Sequence, residues 1–535
     1  MLDTPTPNIA YKREVLMTPL PRVTRTQHGA QLMVDGAPFL ALGGELHNSS
    51  PSSPSYMAPV WDRLAASGVR SVIGAASWQL VEPTEGTFEF HAVDDQVAQA
   101  RARGIKLILI WFGSYKNAQS SYAPSWVRRD ETRFPRATRD QDRLLTGLFS
   151  LDEPILSVFS ENLVEADARA FAALMQHLKR IDPDHTVIAV QVQNEVGLLG
   201  DSRDRSPLAD DAWEAAVPSE LLRGLASRGA TLQPWVRDLW QTYGSRDSGT
   251  WAEVFGTGRE AEEVFMSWAF SRFVDRVALA GTEEYALPTF TNAWLGPQPN
   301  ADIPGLYPSG GPVARMIDIW QIGAPSLAFL APDIYVDDLA GTLSDYAVAG
   351  NAIFVPEARP DAGSACIAVG AYRAIGFHAF GIEDVADNDD LFTMFSTMQN
   401  MAHVITEAQS SGRIHGFRVS TGEKGTFELG GFTVSVAGPF DTRGMFGEGT
   451  GEAAAPGTGY GLIMQTGADE FIVVARGIRV SFSHPTSAVE FDTLTEGEYH
   501  NGHWVPGRTL NGDERYFMFP GNRLRTVRIE LLRRG

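Results

Sequence analysis

One cysteine, Cys366, stands in the whole 535-residue chain, so no intrachain disulfide and no cysteine-based metal cluster can form. Positive charge is scarce as well. The 44 Lys and Arg face 65 Asp and Glu, and the formal net charge of -21 disfavours nucleic acid or an anionic membrane surface as a partner. No run reaches ~18 uninterrupted apolar residues, so no membrane-spanning helix is expected. The first residues, MLDTPTPNIAYKREVLMTPLPR, contain no apolar stretch of signal-peptide length. A cytoplasmic protein is the expectation, or a periplasmic one should the chain be a processed form. The 11 histidines include no His-x-x-x-His spacing, and no Gly-x-Ser-x-Gly elbow occurs. Neither a metal, a cofactor nor a serine nucleophile of that type is therefore expected. The glycines of GEGTGEAAAPGTGYG (447–461) have nucleotide-loop spacing, but no helical pattern follows, and the stretch reads as a loop.

What is present is apolar material in a regular arrangement. Hydrophobic residues make up 44% of the chain and charged residues 20%, enough for a large core divided over more than one domain. Eight short apolar runs begin at residue 39: FLALGGELHN (39–48), VRSVIGAASW (69–78), KLILIWFG (106–113), TVIAVQVQNE (186–195), LPTFTNAW (287–294), SLAFLAPDIY (326–335), AIFVPEA (352–358) and GFHAFGIED (376–384). Helical patterns lie between them. Strands buried on both faces need such unbroken Val, Ile, Leu and Phe runs, and eight βα units are the number of a closed barrel. Before the fourth run, Phe171, Leu174, Met175 and Leu178 form one apolar helix face. The helical stretch before the fifth run is expected to end at Gly281 as a C-cap.

Three segments follow. Residues 1–29 read as an N-terminal extension, 30–410 as a (β/α)8 TIM barrel, and 411–535 as a smaller all-β, sandwich-like domain of short alternating strands broken by Gly, Asn and Asp. An insertion at about 198–258, rich in Trp, Gly and Pro, falls on the side where loops follow strands, and suits either a pocket wall or a subunit contact. Nothing in the sequence fixes the oligomeric state; a homodimer is one option.

In such a barrel the C-terminal ends of the strands carry the chemistry. Glu195 ends the fourth run and Glu357 the seventh. Two carboxyl groups from separate strand ends, meeting at roughly 5 to 5.5 Å, are what retaining glycoside hydrolysis requires: one protonates the leaving oxygen and the other attacks the anomeric carbon. Each alone could equally be an ordinary ion-pair partner of an Arg. Asn194, beside Glu195, is placed to donate to a substrate hydroxyl. Trp78, Trp111, Trp294 and Phe380 end the second, third, fifth and eighth runs and offer flat faces for sugar C–H groups, or simple core packing.

The motif QVQNEVG with a second Glu on the seventh run resembles the clan of (β/α)8 retaining glycosidases. More narrowly, WFGSYKNAQSSYAPSWV (111–127), SWQLVEPTEGTFEF (77–90) and FVPEAR resemble bacterial β-galactosidases of glycoside hydrolase family 35, in the branch with a small C-terminal β-domain. The resemblance implies Glu195 as acid/base, Glu357 as nucleophile, Asn194 as partner of the sugar 2-hydroxyl, and Tyr335 as the tyrosine that holds the nucleophile. It also implies sugar-hydroxyl contacts for Glu45 and Glu82. Gln79 and Val81 depart from the commoner Trp-Asn-x-His-Glu-Pro pattern, a departure that bears on the choice of galactose.

Asp333, Glu383 and Asp384 are rival carboxyl groups at strand ends, and His47 and His378 lie near strand ends as structural or substrate-touching histidines. A retaining exo-β-glycosidase acting on a carbohydrate, most simply a β-galactosidase, is the expected activity. The alternatives are a same-clan glycosidase or transglycosylase for another sugar, and a non-catalytic carbohydrate-binding protein.

Overall fold

The structure, a computed structural model, describes residues 18–139, 154–438, 457–521 and 523–535. Most of the N-terminal extension, and the glycine-rich stretch up to residue 456, lie outside the described residues. Among the described residues, eight parallel strands occupy the eight apolar runs: β1 (Ala41–Glu45), β2 (Ser71–Ser77), β3 (Lys106–Lys116), β4 (Val187–Asn194), β5 (Thr289–Trp294), β6 (Phe329–Ile334), β7 (Glu357–Ala358) and β8 (Gly376–Phe380). Neighbours follow chain order, and β8 pairs with β1. The seventh run is extended but yields a strand of two residues. Its upstream part still closes the ring, because Val355 bridges Phe377, donating to the Gly376 carbonyl (3.1 Å) and accepting from His378 N–H (2.9 Å).

Alternation along β3 shows how one apolar run serves two layers. Ile108, Ile110 and Phe112 point into the barrel with Ile73, Ile188, Phe290 and Phe329, while Leu107, Leu109 and Trp111 join the helix-facing core. Period-2 geometry forces this split, since successive side chains leave a strand on opposite faces. A three-stranded antiparallel sheet (Arg22–Thr26, Gly29–Val34 and Ala37–Phe39) straddles residue 29, where the barrel reading begins. Its Ala30, Leu32 and Val34 are continuous with the barrel interior, and the neighbouring Asp35 pairs with Lys106 at the start of β3. The sheet therefore plugs the end of the barrel opposite the C-terminal strand ends. Polar groups at the other mouth are left free for function.

Helix Glu161–Ile181 packs its apolar face between β3 and helix Arg259–Glu284. The C-cap expected at Gly281 is corrected here: the helix continues to Glu284, and Gly281 lies inside it. A Cβ added there would sit 2.2 Å from Phe171 Cε1, so the glycine permits close helix approach. Residues 198–258 contribute four α-helices, Pro207–Glu214, Ser219–Arg228, Pro234–Thr242 and Trp251–Phe255, whose Trp213, Leu221, Val236 and Trp251 enter the main core.

Beyond residue 411 a six-stranded and a three-stranded antiparallel sheet enclose a second core of Phe417, Phe432, Val434, Phe471 and Val473. The strand Thr458–Gln465 is buried on both faces. Ile463 points into this second core, whereas Tyr460, Leu462 and Met464 pack on the barrel side with Cys366 and Ile405.

Candidate active site

The end of β4 and the residue that follows it adopt an unusual backbone. Gln193 and Glu195 both have positive φ, 64° and 46°, a left-handed conformation that costs about 1–3 kcal/mol for a residue with a side chain and persists only when its surroundings enforce it. Those surroundings are visible. Gln193 turns to the helix layer, where its Nε2 donates to Asp167 (2.8 Å) and its Oε1 accepts from Tyr115 N–H (2.9 Å). Glu195 donates its own N–H to Asn292 Oδ1 (2.9 Å), and Asn292 Nδ2 donates to Asp333 Oδ2 (2.6 Å). Asp333, near the end of β6, lies opposite Glu357 in the β6–β7 pairing, and its Oδ1 is buried without a partner among the described residues.

Glu357, on β7, accepts from the Tyr335 hydroxyl through Oε1, while its Oε2 is buried without a partner among the described residues. Burial and the adjacent Glu357 charge push the Tyr335 phenol far above its ordinary value, so it remains a donor. Lys116, at the end of β3, is buried and donates to Asn194 Oδ1 (2.9 Å); Asn194 Nδ2, on the same amide, has no partner among the described residues. Glu45 ends β1 only 1% exposed, and both its oxygens are likewise unpartnered.

Four carboxyl groups, Glu45, Glu195, Asp333 and Glu357, thus act on one another and on a single cation, Lys116. Burial raises Glu195 to about 7; Lys116 opposes the shift and the Glu357 charge adds to it. Glu45 and Asp333 are lifted well above the usual carboxylate range, first by burial and then by Glu357. A desolvated group that cannot be neutralised by a partner retains its proton instead. The cluster accordingly holds acid forms next to a carboxyl group supported by a tyrosine, which is the division of labour that acid-assisted displacement needs.

Three sites expected from the sequence fall elsewhere. Trp78 is fully buried and donates through Nε1 to Glu82 Oε2 (2.8 Å). Trp111 points outward from β3 by the strand's alternation, is also fully buried, and donates through Nε1 to Asp167 Oδ1 (2.6 Å). Both are packing residues, not sugar platforms. Glu82 is fully buried too, and unlike Glu45 it is satisfied from within, by Trp78, the Gly86 N–H and Arg169, so a substrate-hydroxyl contact is corrected to a structural role. Trp294 and Phe380 remain half-buried at strand ends. His378 lies inside the barrel, bonded to Ser71 and lowered to about 3 by burial, hence neutral and structural. His47 pairs with the exposed Asp384.

Lys116, Asn292 and Asp167 were not apparent as site residues in the sequence. Asp167 lies four positions before Phe171, a carboxylate on an otherwise apolar helix face, and it collects Trp111, both Ser114 donors and Gln193. Lys116 and Asn292 each carried only the signal of a polar residue near a strand end. Among the described residues no group of three or more His, Cys, Asp or Glu is arranged to hold a metal ion.

Known proteins resemble parts of this chain. The family model described as Beta-galactosidase (Glyco_hydro_42) matches residues 59–256, which include Asn194 and Glu195 but end before Glu357. The family matched is thus not family 35. A Domain of unknown function (DUF5597) matches 391–521. A curated protein of Xanthomonas manihotis called Beta-galactosidase is 28% identical over 189 residues, 34% of this chain and 28% of that protein. The chain thus matches little more than a quarter of that relative's length. Among solved structures, a β-galactosidase from the psychrophilic Marinomonas ef1 shows 15% identity over 68% of this chain and 60% of its own, with a TM-score of 0.43. The catalytic domain of a β-amylase from Paenibacillus polymyxa shows 12% identity over 70% of this chain and 100% of its own, with a TM-score of 0.46.

Proposed function

We propose that the chain is a retaining, exo-acting β-glycosidase that hydrolyses terminal β-D-galactosyl residues. The observation that carries the reading is the pairing of a Tyr335-supported Glu357 with a proton-holding Glu195 at one rim, flanked by the unpartnered amide of Asn194. The family-35 resemblance and the family-42 match differ in family and agree on β-galactosidase chemistry, and that shared part is what the proposal adopts.

In this scheme Tyr335 occupies Glu357 Oε1 and leaves Oε2 to attack the anomeric carbon. Glu195 gives its proton to the departing glycosidic oxygen, and a glycosyl ester forms on Glu357. Esterification removes the Glu357 charge, one of the causes that holds Glu195 up, while the pull of Lys116 persists. Glu195 then falls in pKa and accepts a proton from water, whose oxygen attacks the anomeric carbon and releases the sugar and Glu357. Asn194, anchored by Lys116 through Oδ1, turns Nδ2 to the 2-hydroxyl, a contact able to strengthen in the transition state.

Initial rates on p-nitrophenyl β-galactoside, β-glucoside, β-xyloside and β-mannoside measured side by side test the sugar. The galactoside is expected to lead by at least tenfold in kcat/KM, a discrimination of about 1.4 kcal/mol. A faster β-glucoside or β-mannoside would move the reading to another sugar of the same chemistry, and turnover of none of the four would overturn it.

A further inference from the structure

Strands β3 and β4 do not stay in step. From Trp111 to Lys116 β3 takes five steps, while β4 takes two from Val192 to Asn194, so β3 bulges just before the barrel mouth. Continued without the bulge, the Trp111–Val192 register would set Lys116 against Gly197, about 10 Å beyond Asn194 at the rise of a strand. The bulge therefore decides where Lys116 stands. What fills it is Asp167, a fully buried residue of helix Glu161–Ile181 on the outer side of the barrel. Its Oδ1 accepts from Trp111 Nε1 (2.6 Å), and its Oδ2 from the Ser114 N–H (2.8 Å), the Ser114 hydroxyl (2.6 Å) and Gln193 Nε2 (2.8 Å). Gly113 makes room for the carboxyl group, since a Cβ there would come within 2.7 Å of both its oxygens. Trp111 Nε1 and the Ser114 N–H can act only as donors, and Gln193 is held with Nε2 toward Asp167 because its Oε1 is taken by the Tyr115 N–H (2.9 Å). An acceptor-only group is what satisfies all of them. Burial raises the Asp167 carboxyl above its ordinary range, and the bonds from Ser114, Trp111 and Gln193 pull it back.

Beyond the bulge the chain turns at once. Asn117 and Ala118 both have left-handed φ, 51° and 53°, and the turn brings the Ala118 N–H to the Glu195 carbonyl (3.1 Å) while Lys116 reaches Asn194 Oδ1 (2.9 Å). On the β4 side, the residue that Asp167 grips, Gln193, directly precedes Asn194 and Glu195 and is itself left-handed. One carboxyl group thus holds both strand ends from behind. Resting on the glycosidase reading, we infer that Asp167 is a positioning residue for the reaction: without touching the sugar, it fixes the β3 bulge and so sets Lys116 against Asn194 and the acid Glu195. The groups that act on the Glu195 proton are Lys116, which favours its loss, Glu357, which favours its retention, and Asp333. Asp167 reaches that proton through Lys116.

The test is a double-variant cycle read as a pH profile. kcat/KM for p-nitrophenyl β-galactoside is followed across pH on the unmodified protein, on Asp167→Asn, Ser114→Ala and Lys116→Met, and on Asp167→Asn combined with Lys116→Met, with a thermal melt of each. Asp167→Asn keeps the shape of the side chain and turns an NH2 group onto at least one of its donors. Misplacing Lys116 and Asn194 should cost about 10²-fold in kcat/KM. A displaced Lys116 also pulls less on Glu195, so the alkaline limb expected near pH 7 should move upward, by at least about half a pH unit. In the Lys116→Met background that pull is already gone, and Asp167→Asn should move the limb no further. Ser114→Ala, which removes a single hydroxyl donor, should move it in the same upward direction by less, and carries the comparison should Asp167→Asn fail to melt cooperatively. A limb that stays in place in the folded variants, or that shifts equally with and without Lys116, would overturn the positioning role and leave the glycosidase reading intact. No turnover of the galactoside by the unmodified protein would overturn that reading instead.

Discussion

Glu357→Gln is expected to lower kcat/KM by ~10⁴-fold or more, the scale of loss when a covalent nucleophile is removed. An amide does not attack an anomeric carbon. The substitution keeps the shape of the side chain, and its amide oxygen can still accept from the Tyr335 hydroxyl, the contact that Glu357 makes through Oε1. β7 is held by backbone pairing to Asp333 and Ile334 of β6, which the change does not touch. The variant should therefore melt as cooperatively as the unmodified protein. Rates on an activated aryl β-galactoside, read beside a melting curve, separate lost chemistry from lost fold. Activity within tenfold of the original in a folded variant would remove Glu357 from the reaction.

Glu195→Ala should act selectively. The proton it supplies matters in proportion to the basicity of the leaving group, so substrates with alkyl or sugar aglycones should lose about 10²- to 10⁴-fold in kcat/KM, while a dinitrophenyl glycoside loses far less. The same residue sets a pH dependence. With its carboxyl raised to about 7, Glu195 is the acid form below that pH and loses the proton above it, so kcat/KM of the unmodified protein should fall as pH rises through about 7. On Glu195→Ala with the dinitrophenyl substrate this alkaline limb should vanish. An equal loss for good and poor leaving groups, or an alkaline limb that survives the substitution, would assign the proton to another group. Asp333, a buried carboxyl group raised by burial and by the neighbouring Glu357 and Glu195 charges, is where one would look next.

The alternation of apolar runs and helical patterns was enough to place all eight barrel strands, because strands buried on both faces cannot be written in many other ways. The same property hid Trp111. When both faces of a strand are apolar, composition does not reveal parity, and only the structure shows that this ring faces helix Glu161–Ile181 and not the barrel mouth. Glu82 misled for another reason: the resemblance implied a sugar contact there, and only the structure shows its donors, Trp78, Gly86 and Arg169, satisfying it internally. The strand-end positions of Glu195 and Glu357 were legible because a charged residue at the end of a buried strand needs a reason. Lys116 and Asn292 were not, since each acquires meaning only from a partner distant in sequence: Asn194 lies 78 positions from Lys116, and Glu195 lies 97 positions from Asn292. Gly281 illustrates the limit of local grammar, being a glycine near a helix end that serves the packing of Phe171 and not the termination of its own helix.

The whole account depends on Glu357 and Glu195 working on opposite faces of one anomeric carbon through an ester on the protein. Proton NMR of an aryl β-galactoside during the first minutes of turnover reads this directly, before mutarotation mixes the products. Two successive inversions should deliver the β-anomer of the free sugar first. Initial appearance of the α-anomer would mean a single displacement by water, and would contradict both the covalent role of Glu357 and the shared site on which it rests.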